Sequence, residues 1–317
     1  MCTAVGIGDG KRAFFGRNLD YERGFGESAI IIPRNFRIKM REECDIESHY
    51  AVIGVCHEES GYPLMYDGAN EMGLCMAGLN FTKSCSYRKV AEEGKHAVAP
   101  FEFILWILAK CGNVAEAAEL VEKTSIVDVP FDRCLPNSKL HYLIFDKSGG
   151  IAVEPTVHGI KIYPDAAGVL TNEPEFPIQL LNLSNFSNLT VTPPKGGVFG
   201  GTVSEFYSRG MGAIGLPGDG SSMSRFARAA FVRASSRCDS GEVPNVSRLF
   251  HVLASVEQVR GTCILENGEA EFTRYSSCYS TDTATMYYRL YDDLSTRTLR
   301  MSDFDLDGCE TVICDRW

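Results

Sequence analysis

The second residue of the chain is a cysteine, Cys2, which directly follows Met1. Methionine is usually removed when the next residue is small, and its removal would leave Cys2 carrying both a thiol and a free α-amine. A thiolate is a strong nucleophile, and an α-amine has a pKa of roughly 7.7–8. Cys2 could therefore supply a nucleophile and its own general base. The simpler alternative is that Cys2 begins a buried strand, because free cysteine is among the most buried residue types.

Two charged residues follow at a spacing that could bring them to Cys2. Residues 2–7 and 12–17 read as two strands across a Gly-Asp-Gly turn, which predicts a β-hairpin. Arg17 and Asp20 stand at the end of the second strand, and in a hairpin that end faces the start of the first strand. The pattern therefore favours a cluster of thiol, guanidinium and carboxylate. The alternative for either charge is a solvated position on the surface.

Two further polar residues, Asn172 and Arg225, lie at the ends of predicted secondary-structure elements. Asn172 follows a predicted strand, where asparagine usually makes a turn but where a sheet can also present an amide to a pocket. Arg225 lies in the first turn of a helix predicted over 222–234, and its alternative role is part of an exposed basic face. The segment before it, 187–220, is rich in Gly, Pro, Ser and Thr. A loop this long in a compact domain is usually functional or an interaction element.

The elements that must position these residues follow a layered order. Alternation and apolar spacing predict strands, a helix pair, strands, a helix, the long loop, two helices and strands. This order is typical of an α+β protein with two mostly antiparallel sheets between helical layers. The predicted strands are 2–7, 12–17, 28–33, 50–56, 72–81, 140–145, 151–153, 159–163, 168–170, 271–279, 285–291 and 295–301, and the predicted helices begin at 100 and 113 and cover 176–186, 222–234 and 244–259.

Length and composition bound the possible functions. The 317 residues, 44% of them hydrophobic, contain no convincing linker, so we expect one domain spanning 1–317. A net charge of −10 argues against a nucleic-acid surface. The longest strongly apolar stretch, 101–109, contains Glu102 and is too short to span a bilayer. Twelve cysteines without a C-x-x-C pair indicate free thiols in a cytoplasmic protein, and no spacing indicates a metal or cofactor site.

Five motifs in order resemble the choloylglycine hydrolases, the family of conjugated bile salt hydrolases and penicillin V acylases. The resemblance extends from Cys2 to the hairpin near Tyr288 and therefore covers nearly the whole chain. It implies the four-layer αββα sandwich of N-terminal nucleophile hydrolases, in agreement with the element order. The motifs are Cys2-Thr3, Phe15-Gly16-Arg17-Asn18-Leu19-Asp20, Ala77-Gly78-Leu79-Asn80-Phe81, Leu170-Thr171-Asn172, and Gly215-Leu216-Pro217-Gly218-Asp219 with Ser224-Arg225-Phe226.

The resemblance implies a role for each charged residue of the hairpin. Cys2 would be the nucleophile once Met1 is removed, with its own α-amine as the base. Arg17 is similar to the family arginine beside the thiol, where a fixed cation favours thiolate. Asp20 is similar to the family carboxylate that holds and tunes the α-amine.

The resemblance also implies how the tetrahedral intermediate is held. Asn172 is similar to a residue that helps to form the oxyanion hole, and Asn80 is similar to the family's other pocket amide. Arg225 resembles the remaining active-site arginine, which supports the nucleophile and the polar network. The implied reaction is hydrolysis of the amide that joins a steroid acid to glycine or taurine, through a thioester and without metal or cofactor.

The residue at position 80 distinguishes the two branches of the family. Bile salt hydrolases typically have asparagine there and penicillin V acylases often tyrosine, so Asn80 favours conjugated bile acids as substrates. The alternatives are a penicillin V acylase or other N-acyl amide hydrolase and, from another class, a catalytically silent bile-acid-binding protein. Within the long segment, 187–201 resembles the projection from which family members build a homotetramer.

Substrate-binding residues are predicted from segments that form pocket loops in the family. Phe25, Met65, Phe131 and Leu135 are apolar and could contact the steroid, although such residues are more often plain core. Arg209 could pair with a taurine sulfonate or be a solvated loop charge.

Overall fold

Two antiparallel β-sheets face each other at the centre of the structure. A computed structural model describes residues 1–8, 11–193, 207–237 and 240–317. The strands of these residues are β1 (Cys2–Gly8), β2 (Ala13–Tyr21), β3 (Glu27–Ile32), β4 (Val52–Glu59), β5 (Tyr62–Asn70), β6 (Cys75–Asn80), β7 (His96–Val98), β8 (Thr124–Ile126), β9 (Leu140–Asp146), β10 (Gly149–Thr156), β11 (Gly159–Asp165), β12 (Val169–Leu170), β13 (Phe272–Ser280), β14 (Thr285–Leu290), β15 (Asp293–Arg300) and β16 (Val312–Arg316).

The two sheets have different sizes and each is antiparallel throughout. Within the described ranges, one sheet has six strands in the order β12-β1-β2-β13-β14-β15, and the other has eight in the order β11-β10-β9-β6-β5-β4-β3-β16. A small parallel pair, β7-β8, lies apart from both. The strands β1 and β2 carry Cys2, Arg17 and Asp20, and with β12 they are neighbours in the six-stranded sheet.

Helices cover the outer face of each sheet. The helices α1 (Phe103–Lys110) and α2 (Val114–Glu122) pack on the eight-stranded sheet. On the other side, α4 (Ser222–Ser235) and α5 (Glu242–Ala254) pack on the six-stranded sheet, and α3 (Phe176–Leu183) packs against α4. The result is the four-layer αββα sandwich that the sequence predicts, and the predicted fold class is confirmed. No helix of the described residues is long and apolar enough to cross a membrane.

The start of α2 illustrates how local sequence sets an element. The Asn113 side chain accepts a hydrogen bond from the Glu116 backbone N–H at 3.0 Å, and the Glu116 carboxylate accepts the Gly112 N–H at 2.7 Å. This pair satisfies backbone donors that the first helical turn leaves unpaired. This capping box fixes the start of the helix that the sequence predicts from residue 113.

Close packing between the sheets constrains β1. A Cβ atom on Gly6 would lie 2.4 Å from the Phe145 ring, so only glycine allows β1 to approach β9 this closely. The ring of Phe15 stacks on the same phenylalanine at 6.2 Å. This inner core holds the first strand, and with it Cys2, firmly between the two sheets.

Several predicted elements differ from the structure. Residues 168–170 were expected to continue the strands before them, but β12 crosses to the other sheet and pairs with β1, with Leu170 opposite Ala4. The strands β5, β7, β8 and β16 were missed. Of these, β5 contains Asp67, Gly68 and Asn70, which are all depleted in strands. The polar and glycine residues of β5 are tolerated because a hydroxyl from the opposite sheet, and the backbone carbonyl and side chain of Leu108 in α1, satisfy or cover them.

Candidate active site

The hairpin and the crossing strand converge on Cys2. Antiparallel pairing of β1 with β2 sets Cys2 opposite Leu19 and Ala4 opposite Arg17, while β12 lies on the other side of β1 and leads to Asn172. The Cys2 side chain is 3% exposed. The structure therefore brings together residues that the sequence separates by 170 positions.

A fixed arginine holds the backbone of the cysteine. Asn172 Oδ1 accepts the Cys2 N–H at 2.9 Å and Arg225 Nη2 at 2.7 Å, and Arg225 Nη1 donates to the Cys2 carbonyl and to Thr3 Oγ1. The Arg225 side chain is fully buried, and burial lowers its pKa, an effect that Asp20 and Cys2 oppose. The Cys2 nitrogen is thus held by the Asn172 amide oxygen, and Arg225 fixes that oxygen and the Cys2 carbonyl.

Two amides from the two sheets meet beside this nitrogen. Asn172 Nδ2 donates to the Asn80 backbone carbonyl at 2.9 Å, and Asn80 ends β6. Because an amide NH₂ carries two donors, one Asn172 hydrogen remains for a ligand. The Asn80 side chain is half-buried and makes no hydrogen bond to the described residues. The Asn172 amide can therefore supply a donor to an oxyanion formed at the thiol, and Asn80 lies next to it.

Arg17 is the buried cation of the site. Its Nη1 donates to the Gly78 carbonyl at 2.8 Å and to the Tyr66 carbonyl at 3.3 Å, while Nη2 has no partner among the described residues. Burial acts to lower the pKa of Arg17, but Cys2 and the nearby Asp67, among other groups, outweigh burial and raise the pKa above its ordinary value. The unpartnered Nη2 hydrogens are available to a thiolate at Cys2.

Asp67 links Arg17 to the opposite sheet. Its carboxylate lies 4.0 Å from Arg17 Nη1 and accepts the hydroxyls of Tyr275, Ser277 and Tyr279 on β13. A buried carboxylate is stable only when it is paired and hydrogen-bonded. Asp67 therefore neutralises the charge of Arg17, while the backbone carbonyls of Gly78 and Tyr66 orient its guanidinium.

Asp20 is the second buried carboxylate. Its Oδ1 accepts the Thr273 hydroxyl at 2.6 Å, and Oδ2 has no partner among the described residues. Burial raises the pKa of Asp20, and Arg225, the amino terminus and the Thr273 hydrogen bond partly offset the increase. The Thr273 hydroxyl oxygen in turn accepts the Gln258 N–H at 2.9 Å, which points its proton at Asp20.

This contact gives a testable pH effect. Replacing Thr273 with valine removes the donor to the Asp20 carboxylate, so the pKa of Asp20 rises further and its ionised form is lost at a higher pH. We expect the acidic limb of the kcat/KM profile to move to higher pH, with a larger loss at pH 5 than at pH 7. Thr273→Ser keeps the hydroxyl and should restore the wild-type profile. An unshifted acidic limb in Thr273→Val would contradict a role for ionised Asp20.

Met1 extends the strand beyond the nucleophile. Its α-amine donates to the Asp20 carbonyl at 3.0 Å and pairs with Glu271, and its carbonyl accepts the Asp20 N–H at 3.0 Å. Burial lowers the pKa of this amine, and Cys2 and Asp20 oppose the decrease. With Met1 attached, the Cys2 nitrogen is an amide. Removal of Met1 would leave an amine at the same position, 2.9 Å from Asn172 Oδ1.

Two of the predicted substrate-binding residues, Phe25 and Arg209, are exposed. Phe25 is 40% exposed and its ring contacts that of Tyr21, the last residue of β2, at 5.3 Å. This contact places Phe25 close to Asp20 at the same strand end. Arg209 is exposed in the long segment, of which residues 194–206 lie outside the described residues.

The other predicted apolar contacts lie around α1. Met65 is 6% exposed in the outer core between α1 and the eight-stranded sheet, as the core alternative anticipated. Phe131 packs on the rings of Tyr62 and Phe101 at 5.8 and 5.2 Å. Leu135 is half-buried in the same loop as Phe131. The roles of these residues in binding stay predictions.

Sequence reasoning missed the residues that support the site. Thr273 and Asp67 carry no local signal, because their partners Asp20 and Arg17 are distant along the chain. Cysteines of the described residues are all free. Among the same residues no group of three or more His, Cys, Asp or Glu side chains is placed to hold a metal ion.

A buried thiol flanked by a guanidinium, a carboxylate and two amide donors can perform acyl transfer through a covalent intermediate. This arrangement on an αββα sandwich fits an amide hydrolase that uses a cysteine nucleophile. The chain matches the model of the linear amide C–N hydrolases of the choloylglycine hydrolase family over residues 2–314. The chain belongs to this family, and the predicted family is confirmed.

Individual relatives agree with this assignment. The chain is 41% identical over 312 residues to the bile salt hydrolase/transferase of Lactiplantibacillus plantarum, covering 98% of this chain and 96% of the relative. The structure is similar to that of a variant conjugated bile acid hydrolase from Clostridium perfringens, with a TM-score of 0.91, 33% identity and coverage of 99% and 97% of the two chains. The penicillin V acylase of Agrobacterium tumefaciens gives a TM-score of 0.77 at 21% identity over 98% of this chain and 90% of its own, a likeness of fold alone.

Proposed function

We propose that this enzyme hydrolyses the amide bond of glycine- or taurine-conjugated bile acids, with Cys2 as an N-terminal nucleophile. The observation that carries the chemistry is the placement of the Cys2 nitrogen on Asn172 Oδ1, beside Arg225 and the Asn80 carbonyl. The substrate class is supported by relatives named as bile salt or conjugated bile acid hydrolases that align with 98% of the chain. The asparagine at position 80 supports the same choice.

The mechanism begins with removal of Met1. The freed amine of Cys2 accepts the thiol proton, and Arg17 stabilises the thiolate through its unpartnered Nη2. The thiolate attacks the amide carbon, and the oxyanion receives hydrogen bonds from Asn80 and Asn172. The Cys2 amine then donates its proton to the leaving amino acid, so the amide bond breaks and a thioester remains.

Water completes the cycle. The amine takes a proton from water, hydroxide attacks the thioester, and the thiol is regenerated with release of the bile acid. Ionised Asp20 keeps the amine oriented through both halves of the reaction. A free amino acid in place of water would give acyl transfer, a second activity suggested by the hydrolase/transferase name of the Lactiplantibacillus plantarum relative.

A substrate panel tests this proposal. Release of taurine or glycine from taurocholate and glycocholate is measured beside cleavage of penicillin V and of fatty-acyl amides at equal concentrations. We expect kcat/KM for at least one bile conjugate to exceed that of the rival substrates at least tenfold. A higher value for penicillin V or a fatty-acyl amide would favour the alternative hydrolases. A protein that binds bile acids without cleaving any amide would favour the silent binding protein.

We further propose that the enzyme works in the cytoplasm as a homotetramer, with 1–317 as one domain. Exposed apolar residues support assembly: Leu181, just before the long segment, is 71% exposed, and Val191, Tyr207 and Ile214 within it are 67%, 87% and 60% exposed. Part of the proposed assembly segment, 194–206, lies outside the described residues.

A further inference from the structure

A buried histidine and glutamate lie behind the two oxyanion amides. His141 on β9 and Glu154 on β10 are both fully buried on the inner face of the eight-stranded sheet. His141 Nδ1 lies 3.1 Å from Glu154 Oε1. Neither residue touches Cys2, and neither has a role in the mechanism above.

The imidazole of His141 contacts the neighbours of both amides. Its Nε2 donates to the carbonyl of Thr171, the residue before Asn172, at 3.0 Å. Its ring stacks on Phe81, the residue after Asn80, with centroids 4.3 Å apart and an interplanar angle of 7°. One ring therefore touches both strand ends that carry the amides, one from each sheet.

Glu154 anchors the chain on the far side of Asn172. Its Oε1 also accepts the Phe176 N–H at 2.9 Å, at the first residue of α3. The segment 171–176 is thus held at both ends, by His141 and by Glu154. Asn172 is the second residue of this segment, and its side chain accepts the Cys2 N–H.

The hydrogen-bond partners of the His141 ring determine how many hydrogens the His141–Glu154 pair carries. A carbonyl can only accept, so Nε2 carries a hydrogen. Nδ1 and Oε1 share one further hydrogen, either as imidazolium and carboxylate or as imidazole and carboxylic acid. In both forms the pair is neutral overall, which makes its complete burial tolerable, since an isolated buried charge is very costly.

We propose that the His141–Glu154 pair is a clamp that positions the oxyanion amides Asn80 and Asn172. Both residues are positioning residues, and the inference rests on the proposed function of the two amides. Loosening the clamp would let the strand ends separate, so that the Asn172 to Asn80 hydrogen bond lengthens and the oxyanion loses aligned donors. Transition-state stabilisation would fall while substrate binding changes little.

Three variants test the clamp. His141→Leu removes the Thr171 bond and the ring. His141→Gln retains a donor that can reach the Thr171 carbonyl. Glu154→Gln cannot satisfy both partners of Oε1. An amide oxygen at this place accepts the Phe176 N–H but cannot donate to neutral His141, and an amide NH₂ donates to His141 but cannot accept from Phe176. Loss of one oxyanion donor costs about 10²–10³ in kcat, so partial misalignment should cost about 10- to 100-fold in His141→Leu and Glu154→Gln, with KM within about threefold.

A matched control is provided by a second buried histidine. His49 is 9% exposed and its two ring nitrogens also face backbone carbonyls, of Tyr50 at 2.7 Å and Phe36 at 2.9 Å, but it contacts neither amide segment. His49→Leu should lower the melting temperature and leave kcat of the folded protein unchanged. The same kcat loss in His49→Leu as in His141→Leu, or no greater activity in His141→Gln than in His141→Leu, would overturn the clamp.

Nuclear magnetic resonance of the wild-type protein provides a readout that does not depend on activity. In the wild-type protein, we expect a slowly exchanging Nε2–H signal from His141 and protected side-chain NH₂ signals from Asn172. Glu154→Gln should alter both, and His49→Leu neither. An unprotonated Nε2 would overturn the clamp. Failure of the wild type to cleave any amide would instead count against the proposed function, because these signals do not require turnover.

Discussion

Replacing Cys2 with alanine is expected to abolish amide hydrolysis while leaving the fold and bile-acid binding intact. The thiol is the sole nucleophile of the proposed mechanism, and loss of a catalytic nucleophile costs about 10⁴-fold or more in kcat. Alanine is smaller than cysteine and fits the buried position, where Cys2 is 3% exposed. Turnover is measured as taurine release, and binding by calorimetry with taurocholate.

A second buried cysteine provides the matched control for Cys2. Cys278 on β13 is fully buried in the same inner core and has no role in the mechanism. Cys278→Ala should keep kcat within about threefold of the wild type. Hydrolysis that survives in Cys2→Ala, at a rate similar to that of Cys278→Ala, would show that another group attacks the substrate.

Replacing Asn172 is expected to give the second largest effect. Alanine removes an oxyanion donor, worth about 2.7–4 kcal/mol of transition-state stabilisation, and kcat should fall about 10²- to 10³-fold. Asn172→Asp separates the two functions of the side chain. An aspartate can still accept from the Cys2 nitrogen and Arg225, as Oδ1 does at 2.9 and 2.7 Å, but it has no N–H to donate. We expect both variants to lose kcat to a similar degree.

Another buried asparagine distinguishes this effect from general damage. Asn70 at the end of β5 donates to the Leu108 and Cys111 carbonyls at 2.8 and 2.7 Å, far along the sheet from Asn80. Asn70→Ala should lower the melting temperature and leave kcat of the folded protein unchanged. A kcat of Asn172→Ala within threefold of the wild type would remove Asn172 from the oxyanion hole. Full activity in Asn172→Asp would show that catalysis needs Asn172 Oδ1 as an acceptor and does not need its NH₂ group as a donor.

The part of the site predicted from the sequence is the part that local structure determines. The first hairpin sets Arg17 and Asp20 beside Cys2 through strand register alone, and its turn and alternation are visible in a few residues. The capping box at Asn113 is equally local. The positions of Asn80, Asn172 and Arg225 were reached through the family resemblance, since nothing near them in the chain shows that they meet Cys2.

The part that could not be predicted depends on contacts between distant segments. The two residues of β12 look like a continuation of β11, and only packing against β1 takes them to the other sheet. Thr273 and Asp67 are ordinary strand residues until their partners on other strands are known. Met65 is apolar in a strand whose two faces both meet apolar layers, so its type could not tell a core position from a substrate contact.

The central claim is that Cys2 acts as an N-terminal residue, with its own α-amine as the base. The most direct measurement is the intact mass of the purified protein together with an assay of taurine released from taurocholate in the same sample. Loss of the mass of Met1 with release of taurine is the result that this mechanism predicts. A protein that retains Met1 and still releases taurine would contradict it, because the Cys2 nitrogen would then be an amide that cannot accept the thiol proton.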